Sequence, residues 1–195
     1  MPNDKSLPVY ILAGGKSSRF GSDKARAELH GEPLLQRIVR VLKPAAKRFT
    51  AVADVPGKYN DLGVRTIADE QPNLGPMGGL LTALRDVKEG WLLLTSCDMV
   101  ALDCAWVDQL LSARTPSSLA VAFKGERIEP LFALYHASLL APVQAAIVAG
   151  NLSPAYLIAS VPHVLLALPN NWPALAHINS RAELERAAQT LNCSK

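Results

Sequence analysis

Apolar residues at 9–13 form a short run that stops at Gly14-Gly15, the pattern of a buried strand entering a loop. Residues 14–24 are polar and glycine-rich, with Lys16, Arg19 and Lys24 interspersed. After Pro33, apolar side chains fall at Leu34, Leu35, Ile38, Val41 and Leu42, a helical spacing, and Pro33 suits the first helical turn. Residues 49–53 and 64–68 read as two further strands, with Asp69 at the end of the second. A second glycine- and proline-rich loop is expected over 72–79, followed by helical spacing at Leu80, Leu81, Leu84 and Val87. Residues 91–95 are the most apolar strand of the set and run into Ser96-Cys97-Asp98; residues 104–113 read as a helix.

Strands thus alternate with helices as far as residue 113, which predicts an α/β fold: a Rossmann-like, mostly parallel sheet with helices on both faces. Ligands of such sheets bind beyond the carboxyl ends of the strands. The glycine-rich loop, Asp69 and Asp98 all fall at such ends, so three polar features from distant parts of the chain converge on one edge.

The second half has a looser pattern. Strands are expected over 119–123 and 131–135, flanking a hairpin-like excursion at 124–130. Residues 138–149 predict a helix despite Pro142, and 164–168 another strand. A terminal helix over 180–191 carries Ser180 as N-cap and Glu183 as its capping-box partner. No internal repeat or linker interrupts the 195 residues. A single domain is therefore expected, with a nucleotide-binding half at roughly 7–113 and an acceptor half at 114–195.

The net charge of +3 and the lack of any run of five Lys/Arg argue against a nucleic-acid partner. Residues 9–15 are too short an apolar stretch to span a bilayer, and residues 1–6 lack an apolar leader core. The cysteines at 97, 104 and 193 are odd in number and not closely spaced, which argues against a disulfide framework and a zinc knuckle. A reducing, cytoplasmic setting without membrane partners is expected. The four histidines show no metal-ligand spacing, and Cys97 lacks a histidine partner in sequence.

The chemistry lies in the first loop. Gly14 and Gly15 permit close backbone approach, loop amides can point at phosphate oxygens, and Lys16, Arg19 and Lys24 offer cations for a triphosphate. The spacing is neither that of a P-loop nor that of the dinucleotide fingerprint.

The segment Leu12-Ala-Gly-Gly-Lys-Ser-Ser-Arg-Phe-Gly-Ser-Asp-Lys24 resembles the signature Leu-Ala-Gly-Gly-x-Ser-x-Arg-Met-Gly-x-Asp-Lys of the molybdenum cofactor guanylyltransferase family, with Phe20 in place of Met. Gly31-Glu-Pro-Leu34, Asp69 with Gly75-Pro-Met-Gly-Gly79, and Ser96-Cys-Asp98 resemble further family segments. So do Glu129-Pro-Leu-Phe-Ala-Leu-Tyr135 and, in part, His177-Ile-Asn-Ser180. The resemblance spans most of the chain and is strongest in the N-terminal half. Sister enzymes usually carry Leu-Ala-Ala-Gly, so the second glycine of the pair tilts the choice toward guanylyl transfer.

The resemblance implies a single-domain nucleotidyltransferase that moves GMP from GTP to the terminal phosphate of molybdenum-bound molybdopterin. It implies GTP contacts at Leu12, Ala13, Gly14, Gly15, Arg19, Lys24, Asp69 and Asp98. Lys24 and Asp98 would be catalytic, with Mg²⁺ as cofactor on Asp98. Gly78, Gly79 and Asn179 are expected on the pterin side, and cofactor-insertion proteins and molybdoenzymes as partners. Ala51 falls where the family often has an Asn that touches guanine or ribose, with Asp54 nearby. A CTP-dependent molybdopterin cytidylyltransferase and a non-catalytic nucleotide-binding relative are the rival readings.

Overall fold

The computed structural model describes residues 7–14, 23–46, 48–173 and 177–191. Its strands are β1 (Pro8–Leu12), β2 (Glu28–Leu29), β3 (Glu32–Pro33), β4 (Arg48–Ala53), β5 (Arg65–Ala68), β6 (Trp91–Ser96), β7 (Ala120–Lys124), β8 (Ile128–His136) and β9 (His163–Ala167). Its helices are α1 (Leu34–Leu42), α2 (Pro76–Val87), α3 (Cys104–Ser112), α4 (Leu140–Val148), α5 (Pro154–Ser160) and α6 (Arg181–Leu191).

Among the described residues, seven strands form one sheet in the order β5-β4-β1-β6-β8-β7-β9. All pairings are parallel except those of β8, which runs against both β6 and β7. The continuous apolar run of β1 follows from its central place. Val9 and Ile11 point to one face and Tyr10 to the other, and all three are fully buried. On one face α1 and α3 pack through Leu35, Ile38, Trp106 and Leu110. On the other, α2, α4 and α5 pack through Leu80, Leu84, Val143 and Leu157. The expected architecture of a mostly parallel sheet between helical layers in one domain is the one observed.

Several local expectations change. Pro33 ends β3 and occupies the cap position of α1 rather than its first turn. Residues 76–79 belong to the first turns of α2: Gly75 takes a positive φ of 57° and Pro76 opens the helix. Between β4 and β5 the crossover carries only a 3-10 turn, Asn60–Leu62, so the strand–helix alternation is interrupted there. Pro142 lies in the first turn of α4, where its missing N–H costs no helical hydrogen bond. The sequence reading missed α5, whose cap is Ser153 accepting from the Tyr156 amide at 3.2 Å. It also missed the β2–β3 hairpin, which turns through His30 and Gly31 at positive φ. The capping box of α6 is formed: Glu183 N–H donates to Ser180 Oγ at 3.2 Å and Ser180 N–H to Glu183 Oε2 at 3.1 Å.

Candidate active site

The carboxyl ends of β5, β4, β1 and β6 lie side by side, and each delivers a polar group or an open backbone to one edge. At β1 the chain is held on both sides until it leaves the sheet. Cys97 N–H donates to the Leu12 carbonyl and Ala13 N–H to the Val52 carbonyl, both at 2.9 Å. Leu12 and Ala13 are half-buried and Gly14 is exposed where the chain leaves the sheet. A Cβ on Gly14 would only touch Ala53 Cα at 3.5 Å, so the neighbours within the fold do not require glycine there. Gly15 and Arg19 lie outside the described residues.

Asp23 brings the chain back. Its Oδ1 caps the 3-10 turn Lys24–Arg26 by accepting from the Ala25 amide at 3.0 Å. The buried Tyr59 hydroxyl lies 3.0 Å from that oxygen and 3.2 Å from the Ala13 carbonyl, tying both ends of the glycine-rich loop to one side chain. Burial and the Asp23 charge hold the Tyr59 hydroxyl far above the usual phenol range, so it serves as a donor. Lys58 adds a cation 3.4 Å from Asp23. With Asp23 fixed, Lys24 turns inward: its Nζ donates to the Ile178 carbonyl at 2.9 Å and to Asp98 Oδ2 at 3.4 Å.

Asp98 stands just past β6. Ser96 Oγ donates to its Oδ1, and His177 Nδ1 lies 3.1 Å from the same oxygen. Burial alone would raise the Asp98 pKa. Hydrogen bonds from His177 and Ser96, with the His177 and Lys24 charges, outweigh it and hold the carboxyl below its ordinary value. Burial likewise opposes the charge on His177. Asp98 and Glu129, the latter 3.7 Å from Nε2, outweigh it and push the imidazole up to about 9. The Asp98 carboxylate thus lies between the Lys24 and His177 side chains. The neighbouring Cys97 thiol is buried and pushed up to about 12, which removes it as a nucleophile near neutrality.

Asp69 follows β5 and is anchored by its own backbone, whose N–H donates to the Ala53 carbonyl at 2.6 Å. Its Oδ1 accepts from the Gln71 amide at 3.0 Å and Thr82 Oγ1 at 3.3 Å, so the side chain forms a turn and also meets α2. Gly78 and Gly79 are buried in the first turns of α2. A Cβ on Gly78 would stand 2.7 Å from the Gln71 carbonyl, and one on Gly79 2.5 Å from Leu12 Cδ2. Both glycines therefore let α2 approach the ends of β5 and β1, and their places are filled by the fold itself. Asn179 is exposed, and its N–H donates to Glu183 at the start of α6. Ala51 is fully buried within β4, paired with Ile11 and Thr66. Asp54, at the end of β4, is exposed and pairs with Lys58 at 2.8 Å.

Sequence reasoning missed His177, Glu129, Ser96 and Tyr59 as members of the site. His177 is 79 positions from Asp98, and no local spacing marks that meeting. Among the described residues no group of three His, Cys, Asp or Glu side chains converges as a metal cage. Asp98 offers one carboxylate, whose Oδ2 meets Lys24 Nζ. That donor set fits a magnesium ion that takes its other ligands from phosphates and water. A cleft of about 490 Å³, lined by Asp23, Arg26, Glu28, Arg181 and Glu185 among others, adjoins the site at Asp23 but includes neither Lys24 nor Asp98.

Residues 9–164 match the MobA-like NTP transferase domain. The chain belongs to this family. It is a nucleotidyltransferase, as the resemblance of its loop and strand-end segments implies. It is 40% identical over 147 residues to the probable molybdenum cofactor guanylyltransferase of Deinococcus radiodurans, a match covering 74% of this chain and 75% of that one. The molybdenum cofactor guanylyltransferase of Shewanella putrefaciens is 31% identical over 187 residues, covering 93% and 96%. Among solved structures, molybdopterin-guanine dinucleotide biosynthesis protein A from Archaeoglobus fulgidus superposes with a TM-score of 0.81 over 96% of this chain and 100% of that one. At 21% identity this likeness bears on the fold. No helix among the described residues is long and apolar enough to cross a membrane.

Proposed function

We propose that the protein transfers GMP from GTP to the terminal phosphate of molybdenum-bound molybdopterin, releasing pyrophosphate. The observation that carries this reading is the meeting of Lys24 and Asp98, with Nζ and Oδ2 3.4 Å apart, beside the end of β1, where the chain becomes exposed at Gly14. The choice of guanine rests on the Gly14-Gly15 pair and on the names of the relatives.

The acceptor phosphate oxygen attacks the α-phosphorus in line, and the bond from that phosphorus to the β-phosphate bridging oxygen breaks. A phosphate monoester is largely ionised near neutral pH, with a second pKa of about 6, so no general base is needed. This fits the site: Ser96 Oγ and His177 Nδ1 both turn to the Asp98 carboxylate, so the hydroxyl is not paired with an imidazole nitrogen that could activate it as a nucleophile. Lys24 supplies a fixed cation where negative charge accumulates, and the Leu12, Ala13 and Gly14 backbone seats the nucleotide. Asp98 would hold magnesium, which when bound supplies charge neutralisation to the triphosphate. Asp69 follows β5, two strands from β1, and would meet the nucleoside end. The product, a guanine dinucleotide of the pterin, would pass to cofactor-insertion proteins and molybdoenzymes.

A nucleotide panel tests this reading. GTP, CTP, ATP and UTP are each supplied with Mg²⁺ and molybdenum-loaded molybdopterin, and pyrophosphate release is followed. Release with GTP alone is expected. Release with CTP alone would assign the protein to cytidylyl transfer, and none with any nucleotide would point to a binding-only relative.

A further inference from the structure

The C-terminal segment, beyond the part that matches the family domain, lies against Asp98. His177 forms an antiparallel bridge with Met99, and Ile178 N–H donates to the Asp98 carbonyl at 3.0 Å. Ile178 is fully buried against Leu29, Leu34 and Val100, so this segment has a fixed seat. From there His177 Nδ1 reaches Asp98 Oδ1 at 3.1 Å. Glu129 arrives from another direction. The β7–β8 register jumps from Ala122↔Ala133 to Phe123↔Glu129, so residues 130–132 bulge out of that pairing. β8 nevertheless keeps its register with β6 as far as Thr95↔Phe132, which directs Glu129 past the end of β6, toward Asp98. There Glu129 Oε2 faces His177 Nε2 at 3.7 Å.

The two oxygens of Asp98 are thereby made unequal. Oδ1 is held by Ser96 Oγ and His177 Nδ1, whereas Oδ2 faces Lys24 Nζ. We propose that His177, braced by Glu129, is a positioning residue that fixes Asp98 so that Oδ2 stays turned to the nucleotide phosphates. The acceptor half of the chain thus completes the nucleotide site. This rests on the reading of Asp98 given above. His177 bonds Asp98 through Nδ1 while Glu129 stands as a counter-charge 3.7 Å from Nε2, and removing such a support typically costs about 10- to 100-fold in metal affinity or activity.

The test compares wild type with His177→Ala, His177→Asn, Glu129→Gln and Asp98→Asn. kcat and KM for GTP are measured with molybdenum-loaded molybdopterin, and Mn²⁺ binding to the GTP-bound protein by electron paramagnetic resonance. His177→Ala is expected to lower kcat and weaken Mn²⁺ binding by about 10- to 100-fold, with KM for GTP nearly unchanged. His177→Asn retains a donor for Oδ1 and is expected to recover most of both losses. Glu129→Gln should fall between them. Wild-type kcat and Mn²⁺ binding in His177→Ala would overturn the inference, as would a folded His177→Asn no better than His177→Ala. If His177→Ala does not fold, the same two readouts on His177→Asn and Glu129→Gln decide: both near wild type for Asn with a loss for Gln supports the inference, and no loss for Gln overturns it. Normal turnover in Asp98→Asn would instead overturn the reading of Asp98 itself.

Discussion

Lys24 Nζ donates to the carbonyl of Ile178, 154 positions later, at 2.9 Å, which joins the end of the glycine-rich loop to the segment leading into α6. The cation that the family signature places after the first strand is thus oriented by the last part of the chain. Lys24→Ala is expected to lower the transfer rate by about 100- to 1,000-fold, the usual cost of losing one transition-state donor. Steady-state kinetics beside circular dichroism checks this. A folded variant with a normal rate would mean that the loop does not hold the triphosphate.

Asp98→Ala is expected to reduce turnover far more than stability. The change leaves Ser96 and His177 without their shared acceptor, a loss on the order of 1–3 kcal/mol. Turnover should fall below detection at saturating Mg²⁺. Unchanged turnover under those conditions would remove Asp98 from the metal site.

Gly78→Ala and Gly79→Ala are expected to differ, although the two glycines are adjacent. At Gly78 the new methyl meets the Gln71 backbone carbonyl, which cannot move without disturbing the Asp69 turn. At Gly79 it meets the end of the flexible Leu12 side chain. Overpacking costs about 1–3 kcal/mol, and alanine returns roughly 0.5–1 kcal/mol in a helix interior. Gly79→Ala should therefore lose little stability and Gly78→Ala clearly more. Denaturant unfolding of both variants checks the order, and equal losses would contradict it.

The parallel half of the sheet was legible because its strands are short apolar runs ending in punctuating residues: Gly14, Asp69, and Ser96 before Asp98. Leu34, Leu35, Ile38 and Leu42 likewise announced α1, and all four are buried. Only seven residues make up α5, and its helical signal is the Ser153-Pro154 start, which is easily read as loop. The first turns of α2 were hidden because Gly75, Pro76, Gly78 and Gly79 carry turn composition. Their small size serves the close approach of the helix to β1 and β5. The Lys24 and Asp98 positions followed from a motif, whereas the contact of His177 and Glu129 depends on the β8 bulge and the Met99 bridge, which no sequence spacing encodes.

On the opposite side of β1, Asp86 accepts from Tyr10 at 2.6 Å and from Arg65 through both oxygens, at 2.6 and 2.7 Å. The Arg65 hydrogen bonds, helped by Tyr10 and opposed by burial, hold the Asp86 carboxyl below its ordinary value. A carboxyl whose folded pKa is depressed contributes stability above its unfolded pKa, about 3.9, and that contribution is lost as pH falls through the folded value. Asp86→Asn is expected to be less stable than wild type at pH 7, with the gap closing as pH falls below about 4. Thermal midpoints across that range check this. A gap that stays constant with pH would show that the pair adds nothing by ionisation.

In the proposed reaction the α-phosphate of GTP leaves with the pterin. GTP labelled at the α-phosphate, and separately at the γ-phosphate, is incubated with the protein, Mg²⁺ and molybdenum-loaded molybdopterin, and the products are separated. The α label is expected in the pterin dinucleotide and the γ label in pyrophosphate. Transfer of the γ label to the pterin, or both labels remaining in GTP with folded protein and competent acceptor, would contradict it.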